Sequence, residues 1–339
     1  MNWMPLNLTV RVGCNLAYET TVPTPVLFVL KPRLEGRVLV MQEKLSFGIG
    51  LPSYEFQDSH GNITYRSMFM PGRNEIRHDA LVAVSSQPDN RDVPNQIVSV
   101  SQLPPEVLRY TLPSRYCDSD KLRDLAWQNF GQITNALQRV QTICDWVHNN
   151  IEYRFGSGRP DLSASEVIAR RHGVCRDFAH AAIALCRAFN LPARYVTGHL
   201  PDIGYIDPGT PMDFHAYFEV YLGQEWFTFD PRYNVPRIGR VKVAHGDLLW
   251  IHLVGPDFKV GELGFAVDRC ERAVHGIGSV RHFYAADARN IVTRIKGEPF
   301  LPQIDFEIGV KIHRRARINV ADVRQMSGHV ARGQIEGAA

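Results

Sequence analysis

Cys175, His215 and Asp230 are the residues whose types and order could carry out nucleophilic catalysis. A cysteine thiolate is a strong nucleophile, and a histidine can hold a proton and return it to a leaving group. An aspartate can fix the tautomer and orientation of that imidazole. Each residue alone is structural more often than not, so the prediction of a catalytic triad depends on the elements that position the three side chains.

Cys175 stands at the start of a predicted helix that runs to about Phe189 and is apolar over more than half of its circumference. We expect Gly173 to end the preceding helix with a positive φ, and that helix to open with a capping box of Ser163 and Glu166. A helix N-terminus and a neighbouring imidazolium lower the pKa of a cysteine thiol. The backbone N–H of Cys175 lies in the first helical turn, where it could bind an oxyanion.

His215 and Asp230 lie on two predicted strands, 213–222 and 225–230, joined by a two-residue loop that begins at Gly223. Glycine at that position suits a type II′ turn. The resulting register places Asp230 on the same face as His215 and diagonal to it, about 7–8 Å away between backbones and within side-chain reach. A three-residue loop would reverse the parity and separate the two side chains.

Other titratable residues near Cys175 receive structural interpretations. His180 lies five positions along the same helix, roughly 140° round from the thiol, and cannot face it. His172 is adjacent but has no orienting acid, which indicates a surface or capping residue. Asp177 in the first helical turn is favourably placed for the helix dipole, and this position needs no catalytic role to explain it.

A second oxyanion donor stays unassigned. Tyr116, Trp146 and Tyr153 are candidates, although packing explains each of them as well. The six cysteines include no C-x-x-C pair, and the five other than Cys175 are predicted to be buried thiols. A metal site on Cys175 and His215 is the least supported alternative because no set of four ligands has suitable spacing. We predict neither a metal nor a cofactor.

Residues 1–112 are predicted to form a β-rich N-terminal domain. Short β-prone runs occur at 6–12 and 26–30, and residues 54–66 have the pattern of a hairpin around a His-Gly-Asn turn. Several short strands at this spacing indicate a small antiparallel sandwich. Titratable groups do not cluster here, so a scaffolding or substrate-gating role is predicted.

Residues 113–260 are predicted to form a catalytic core and residues 261–339 a divergent, poorly ordered extension. Amphipathic helices over about 121–130 and 134–150 precede the Cys175 helix. Helices packed against an antiparallel sheet, after a β-sandwich-like domain, give an α+β fold class.

The composition excludes several functional classes. The 339 residues are 45% hydrophobic and 22% charged, and the net charge of +3 gives no support for a nucleic-acid partner. No apolar run reaches the roughly 18 residues of a membrane span, and the N-terminus lacks the pattern of a secretion signal. A cytoplasmic location without membrane attachment is therefore expected.

The residues described above resemble the transglutaminase-like superfamily, in particular bacterial transglutaminase-like cysteine peptidases with a β-rich N-terminal region. The resemblance covers about residues 5–240. The segments that carry it are Gly173-Val174-Cys175-Arg176-Asp177-Phe178-Ala179-His180, Asp213-Phe214-His215-Ala216-Tyr217-Phe218-Glu219 and Trp226-Phe227-Thr228-Phe229-Asp230-Pro231. The resemblance implies a papain-like core and a triad of Cys175, His215 and Asp230. After Gly239-Arg240-Val241 the chain departs from the family's pattern.

Two hypotheses on function follow. The first is an enzyme that attacks a peptide or carboxamide bond in a peptide or protein through a Cys175 thioester, with hydrolysis favoured over transfer to an amine. The second is a catalytically inactive module that keeps the fold to bind a peptide or protein. The presence of all three residues of the predicted triad favours the enzyme.

Overall fold

The computed structural model describes residues 6, 8–35, 38–48, 53–90, 98–159, 161–201 and 214–246, and it also places strands at 251–254 and 280–283. Within these residues, strands and helices pack together into an α+β fold, as the sequence predicts. A single apolar cluster runs from the N-terminal strands through the central helices to the sheet that carries His215. The predicted N-terminal domain and the predicted core therefore share buried apolar contacts.

The N-terminal β structure is made of antiparallel strands. They are β1 (Leu8–Thr20), β2 (Thr24–Phe28), β3 (Val38–Phe47), β4 (Ser53–Gln57), β5 (Ile63–Phe69) and β6 (Gly72–Val84). β6 pairs with β1 and β3, and β5 pairs with β2 and β4. Buried and exposed residues alternate along β6, as expected for a sheet with one face in the core. The predicted hairpin is confirmed as β4–β5, with Gly61 at a φ of 72° in its turn.

Of the five α-helices in the described residues, four begin and end within a few residues of their predicted positions, whereas the first was not predicted. They are α1 (Pro105–Leu108), α2 (Arg123–Phe130), α3 (Ala136–Asn150), α4 (Ala164–Arg170) and α5 (Cys175–Arg187), with short 3-10 segments at Val100–Gln102 and Arg109–Thr111. The capping box of Ser163 and Glu166 is confirmed at the start of α4. α5 is buried along its whole length, so it is the central helix of the fold.

The segment that leads into α5 corrects one prediction. α4 is followed by Arg171 in the left-handed conformation, with a φ of 57°, so the positive φ assigned to Gly173 belongs two residues earlier. Gly173 lies in β8 (His172–Gly173), which pairs in parallel with β7 (Glu152–Tyr153). Glycine is needed there for another reason: a Cβ at residue 173 would lie 2.6 Å from Oδ2 of Asp177.

The core sheet has the strand order β11–β10–β9–β12 and is antiparallel throughout. Its strands are β9 (Ala193–His199), β10 (His215–Leu222), β11 (Glu225–Phe229) and β12 (Val241–Gly246). Leu222 pairs with Glu225, and Gly223 has a φ of 68°. The predicted two-residue turn and its register are therefore confirmed.

Two further strands lie beyond the core sheet. β13 (Ile251–Val254) pairs with β2 and with β14 (Val280–Phe283), so the chain returns to the N-terminal sheet after β12. β13 falls within the predicted core and β14 within the predicted extension. The rest of the extension lies outside the described residues, and the domain boundaries 1–112, 113–260 and 261–339 stay predictions.

A buried charge cluster ties three strands of the core sheet together. Glu219 on β10 lies opposite Arg194 on β9, whose Nε donates to it at 2.7 Å, and Lys242 on β12 forms a second ion pair with Glu219. Burial alone would raise the pKa of Glu219, but Lys242 and Arg194 lower it to about 2. The cluster therefore stabilises the sheet while Glu219 is ionised.

The exchange of roles between Arg171 and Gly173 can be tested by two substitutions. Gly173→Ala should lower the free energy of unfolding by about 2–3 kcal/mol, because the added Cβ would collide with Asp177. Arg171→Gly should be neutral or stabilising by up to about 1 kcal/mol, because glycine adopts the left-handed backbone conformation of residue 171 without the steric cost that a Cβ adds. Urea denaturation followed by circular dichroism measures both values. The reverse order of effects would contradict this assignment.

The Glu219 cluster makes stability depend on pH. Because the pKa of folded Glu219 is below its ordinary 4.5, the stabilisation is present above pH 4.5 and is lost as the pH falls through 2. Glu219→Gln should cost on the order of 3 kcal/mol at pH 7, and wild type and variant should converge between pH 4.5 and 2. Exposed Glu225→Gln serves as the control in denaturation series at each pH. A difference that stays constant down to pH 3 would refute the ionic contribution.

Candidate active site

His215 and Asp230 meet at the open end of the β10–β11 hairpin. Nε2 of His215 lies 2.7 Å from Oδ2 of Asp230, and both residues are buried, with 7% and 2% exposure. β10 begins at His215, and Asp230 directly follows the last residue of β11, so the confirmed turn at Gly223 sets this contact. Since Asp230 engages Nε2, the opposite ring nitrogen, Nδ1, is the one available to a nucleophile.

Asp230 has a second charged partner that the sequence analysis did not assign. Nη2 of Arg240 donates to Oδ2 of Asp230 at 2.9 Å, and Nε of Arg240 donates to both carboxylate oxygens of Asp89 at 3.0 Å. Burial alone would raise the pKa of Asp230, but the charges of His215 and Arg240 hold it well below its ordinary value. Asp230 is therefore an anion fixed from two sides.

Aromatic rings enclose the imidazole of His215. The ring of Tyr217 stacks on it with centroids 6.1 Å apart, and the ring of Tyr233 is tilted against it at 5.0 Å. The guanidinium of Arg240 lies 4.5 Å from the centroid of the Tyr217 ring. At this distance its positive charge makes a favourable cation–π interaction with the ring. The imidazole is thus held in one plane by packing as well as by its bond to Asp230.

Cys175 is the first residue of α5, as predicted, and is 9% exposed. The helix start is fixed by Asp177, whose Oδ2 accepts from the backbone N–H of Val174 at 2.9 Å. Nε and Nη2 of Arg176 donate to Oδ1 of Asp177 at 2.9 and 2.7 Å. Asp177 is completely buried, so Arg176 neutralises a carboxylate that would otherwise oppose a thiolate at the same helix terminus.

A cation–π contact joins the segment that precedes Cys175 to the chain that follows the His215 hairpin. The guanidinium of Arg232, two residues after Asp230, lies 3.7 Å from the centroid of the Tyr153 ring. Tyr153 pairs with Gly173 in the β7–β8 ladder, two residues before Cys175. In addition, α5 packs on β9 and β10. The helix that begins at Cys175 therefore packs on the strand that begins at His215.

The histidines near Cys175 that we interpreted as structural, His180 and His172, are held by aromatic packing and by a backbone contact. His180 is completely buried between the rings of Tyr116 and Tyr195, at centroid distances of 5.4 and 5.2 Å. Nδ1 of His172 lies 2.9 Å from the carbonyl oxygen of Arg170, near the end of α4. The ring of Tyr116 packs against His180, and that of Trp146 packs against Phe130 with centroids 6.2 Å apart. The choice of a second oxyanion donor stays open.

Five of the six cysteines fall within the described residues, and all of these are buried. Burial raises the pKa of Cys186, on the same helix as Cys175, well above its ordinary value. Among the described residues, no group of three or more His, Cys, Asp or Glu side chains is arranged to hold a metal ion. In the same part of the chain, no helix is long and apolar enough to span a membrane.

Comparison with known proteins places this geometry in a family. Residues 123–231 match the model of the transglutaminase-like superfamily. The matched stretch begins with α2 and ends one residue after Asp230, so it contains Cys175, His215 and Asp230. The superfamily model therefore covers the elements that carry the candidate site.

Solved and curated relatives extend the match. The crystal structure of a Cytophaga hutchinsonii protein, provisionally named a cysteine protease, is 35% identical and superposes with a TM-score of 0.64, covering 70% of this chain and 81% of that chain. An uncharacterized protein of Mycobacterium tuberculosis is 29% identical over 197 residues, which cover 52% of this chain and 62% of the relative. An uncharacterized protein of Mycobacterium leprae is 28% identical over 98 residues, 35% of its length. The chain spans less than two thirds of these mycobacterial relatives.

The matched elements are those that hold Cys175 at a helix start and His215 against Asp230 on an antiparallel hairpin. The relative from Cytophaga shares this fold over most of both chains. The chain belongs to the transglutaminase-like superfamily.

Proposed function

We propose that the protein hydrolyses peptide or carboxamide bonds in a peptide or protein through a thioester on Cys175, with His215 and Asp230 completing the triad. The observation that carries the proposal is the 2.7 Å contact between Nε2 of His215 and Oδ2 of Asp230. It fixes the imidazole so that Nδ1 is the nitrogen that exchanges a proton with the thiol. The contact of Arg232 with Tyr153 supports the approach of the two parts.

In the first half of the reaction, the Cys175 thiol transfers its proton to Nδ1 of His215 and the thiolate attacks the carbonyl carbon. The resulting oxyanion is stabilised by the backbone N–H of Cys175 in the first turn of α5. His215 then returns the proton to the leaving nitrogen as the carbon–nitrogen bond breaks. An amine leaves, and the acyl group remains on the sulfur as a thioester.

In the second half, a water molecule attacks the thioester while Nδ1 of His215 takes one of its protons. Collapse of the tetrahedral intermediate expels the thiolate and releases a carboxylic acid. Throughout, ionised Asp230 stabilises the imidazolium, and Arg240 keeps Asp230 ionised. An amine in place of water would give transamidation with the same residues, so the acceptor decides between the two outcomes.

Selective alkylation tests the proposed nucleophile. At pH 6 an ordinary thiol with a pKa of about 8.5 is less than about 1% thiolate, whereas a cysteine paired with an imidazolium reacts readily. Iodoacetamide should therefore modify Cys175 about 100-fold faster than the other cysteines, as measured by peptide mapping. Cys186 on the same helix is the internal control, because burial raises the pKa of its thiol. Equal rates at Cys175 and the other cysteines would refute an activated thiolate.

The acceptor and the role of Asp230 are tested together by mass spectrometry of a peptide library digested with an added amine. Wild type should release carboxylic acid products, and Cys175→Ala should release none. Asp230→Asn should lower kcat by about 10²- to 10⁴-fold with KM within about threefold, because the amide carries no charge to stabilise the imidazolium.

Cys186→Ala, a substitution outside the proposed triad, is the matched control and should leave the product pattern unchanged. Predominant attachment of the amine would instead identify an acyltransferase. A reactive Cys175 that yields no products, together with peptide binding unchanged in Cys175→Ala, would favour the inactive binding module.

A further inference from the structure

Asp89, the second carboxylate bound by Arg240, comes from outside the core sheet. Asp89 follows β6, in the predicted N-terminal domain, whereas Arg240 immediately precedes β12 of the core. The segment around Asp89 is held by backbone contacts: its N–H donates to the carbonyl of Arg237 at 2.9 Å, and Pro88 forms an isolated bridge with Ile238. A carboxylate of the N-terminal region is thus fixed within reach of the candidate triad.

We propose that Asp89 and Arg240 are positioning residues for the triad, so that the N-terminal β region completes the active site rather than merely supporting it. This inference rests on the proposed function of Cys175, His215 and Asp230. It assigns to Asp89 the task of setting the position and effective charge of Arg240, and to Arg240 the task of setting Asp230. Neither residue touches the substrate in this scheme.

The geometry of Arg240 favours positioning over simple charge neutralisation. Its side chain is 7% exposed and uses different nitrogens for its two acids, Nε for Asp89 and Nη2 for Asp230. The planar guanidinium therefore transmits the location of one carboxylate to the other. Arg240 also lies on Tyr217, which stacks on His215, so it restrains the imidazole from a second direction.

Asp89 is itself held at a fixed place. Its Oδ2 accepts from the backbone N–H of Arg237 at 2.9 Å, in addition to its contact with Arg240. The pair Asp89–Arg240 is nearly neutral as a whole, which moderates the positive charge that Asp230 and His215 experience. Asp230 interacts with His215 and Tyr217 from β10 and with Arg240, and its Oδ1 accepts from the backbone N–H of Tyr233 at 3.4 Å. Two further cations, Arg232 and Arg237, lie over the Tyr233 ring, 5.0 and 4.6 Å from its centroid.

Two substitutions in the Asp89–Arg240–Asp230 series should change the stability of the His215 imidazolium in opposite directions. In Asp89→Asn, the charge of Arg240 acts undivided on the Asp230–His215 pair and disfavours the imidazolium. In Asp89→Asn combined with Arg240→Gln, the charge of Asp230 acts on His215 alone and favours the imidazolium. The double variant removes Asp89 and Arg240 together, so neither is left buried without the other, and Asp230 keeps His215 as its partner. It therefore keeps the test valid if Asp89→Asn alone fails to fold.

The experiment measures the rate of Cys175 alkylation by iodoacetamide against pH, on full-length protein. The change in rate on the alkaline side of this profile, its upper limb, marks the pH at which the thiolate–imidazolium pair loses its proton. We expect this limb to move down by about half a pH unit in Asp89→Asn and up by a similar amount in the double variant. For Asp89→Asn, kcat should fall about 10-fold while KM stays within twofold.

Glu219→Gln is the matched control, because Glu219 is a buried acid in an ion pair on the same sheet but has no contact with Asp230. It should lower the melting temperature without moving the alkylation profile. If Asp89→Asn and the double variant behave like this control, with lower melting temperatures and unchanged profiles, the role of Asp89 is purely structural and the inference is overturned.

A second measurement separates this inference from the proposed function. The ring N–H proton of His215 that faces Asp230 gives a resonance in ¹⁵N-edited spectra whether or not the thiol is reactive. That resonance should shift in Asp89→Asn and stay in place in Glu219→Gln. Ordinary reactivity of wild-type Cys175 would refute the proposed function alone, whereas an unshifted His215 resonance in Asp89→Asn would refute the positioning role.

Discussion

The buried carboxylate of Asp230 is the constraint on which the rest of the site depends. A carboxylate that is 2% exposed is stable only when charged or hydrogen-bonding partners replace water. Asp230 obtains them from His215 and Arg240 on the same oxygen, Oδ2. The hairpin must therefore end with His215 diagonal to Asp230, and the chain after it must return to place Arg240.

This requirement connects parts of the chain that are far apart in sequence. Arg240 needs its own counter-ion, and Asp89 supplies it from the end of the N-terminal β structure. The backbone contacts of Asp89 with Arg237 then fix how the N-terminal region meets the core. The buried charge of one site residue thus gives a physical reason for the position of a neighbouring region, independently of their shared apolar cluster.

The local parts of the site could be predicted from sequence, because each depends on short-range rules. The helix start at Cys175 and the register that joins His215 to Asp230 follow from capping, periodicity and one turn at Gly223. The φ assigned to Gly173 was wrong because glycine is needed there for space beside Asp177, a contact that needs three-dimensional knowledge. Asp89 escaped prediction for the same reason, since nothing local in the sequence marks its contact with Arg240.

The carboxylates beside the two parts of the candidate triad, Asp177 near Cys175 and Asp230 next to His215, have different cationic partners. At the helix start, Arg176 neutralises Asp177, so the carboxylate that caps α5 adds little negative charge beside Cys175 and the helix terminus can favour a thiolate. At the hairpin, Asp230 keeps its charge, and the opposing charge of Arg240 is itself partly offset by Asp89. The negative charge of Asp177, which caps α5, is therefore largely offset by Arg176. The negative charge of Asp230 remains available to the imidazole of His215. The cationic neighbours differ in geometry. Nε and Nη2 of Arg176 both donate to Oδ1 of Asp177, and Nη2 also donates to the carbonyl oxygen of Arg159, so Arg176 contacts one carboxylate. Arg240, in contrast, is shared between the carboxylates of Asp89 and Asp230.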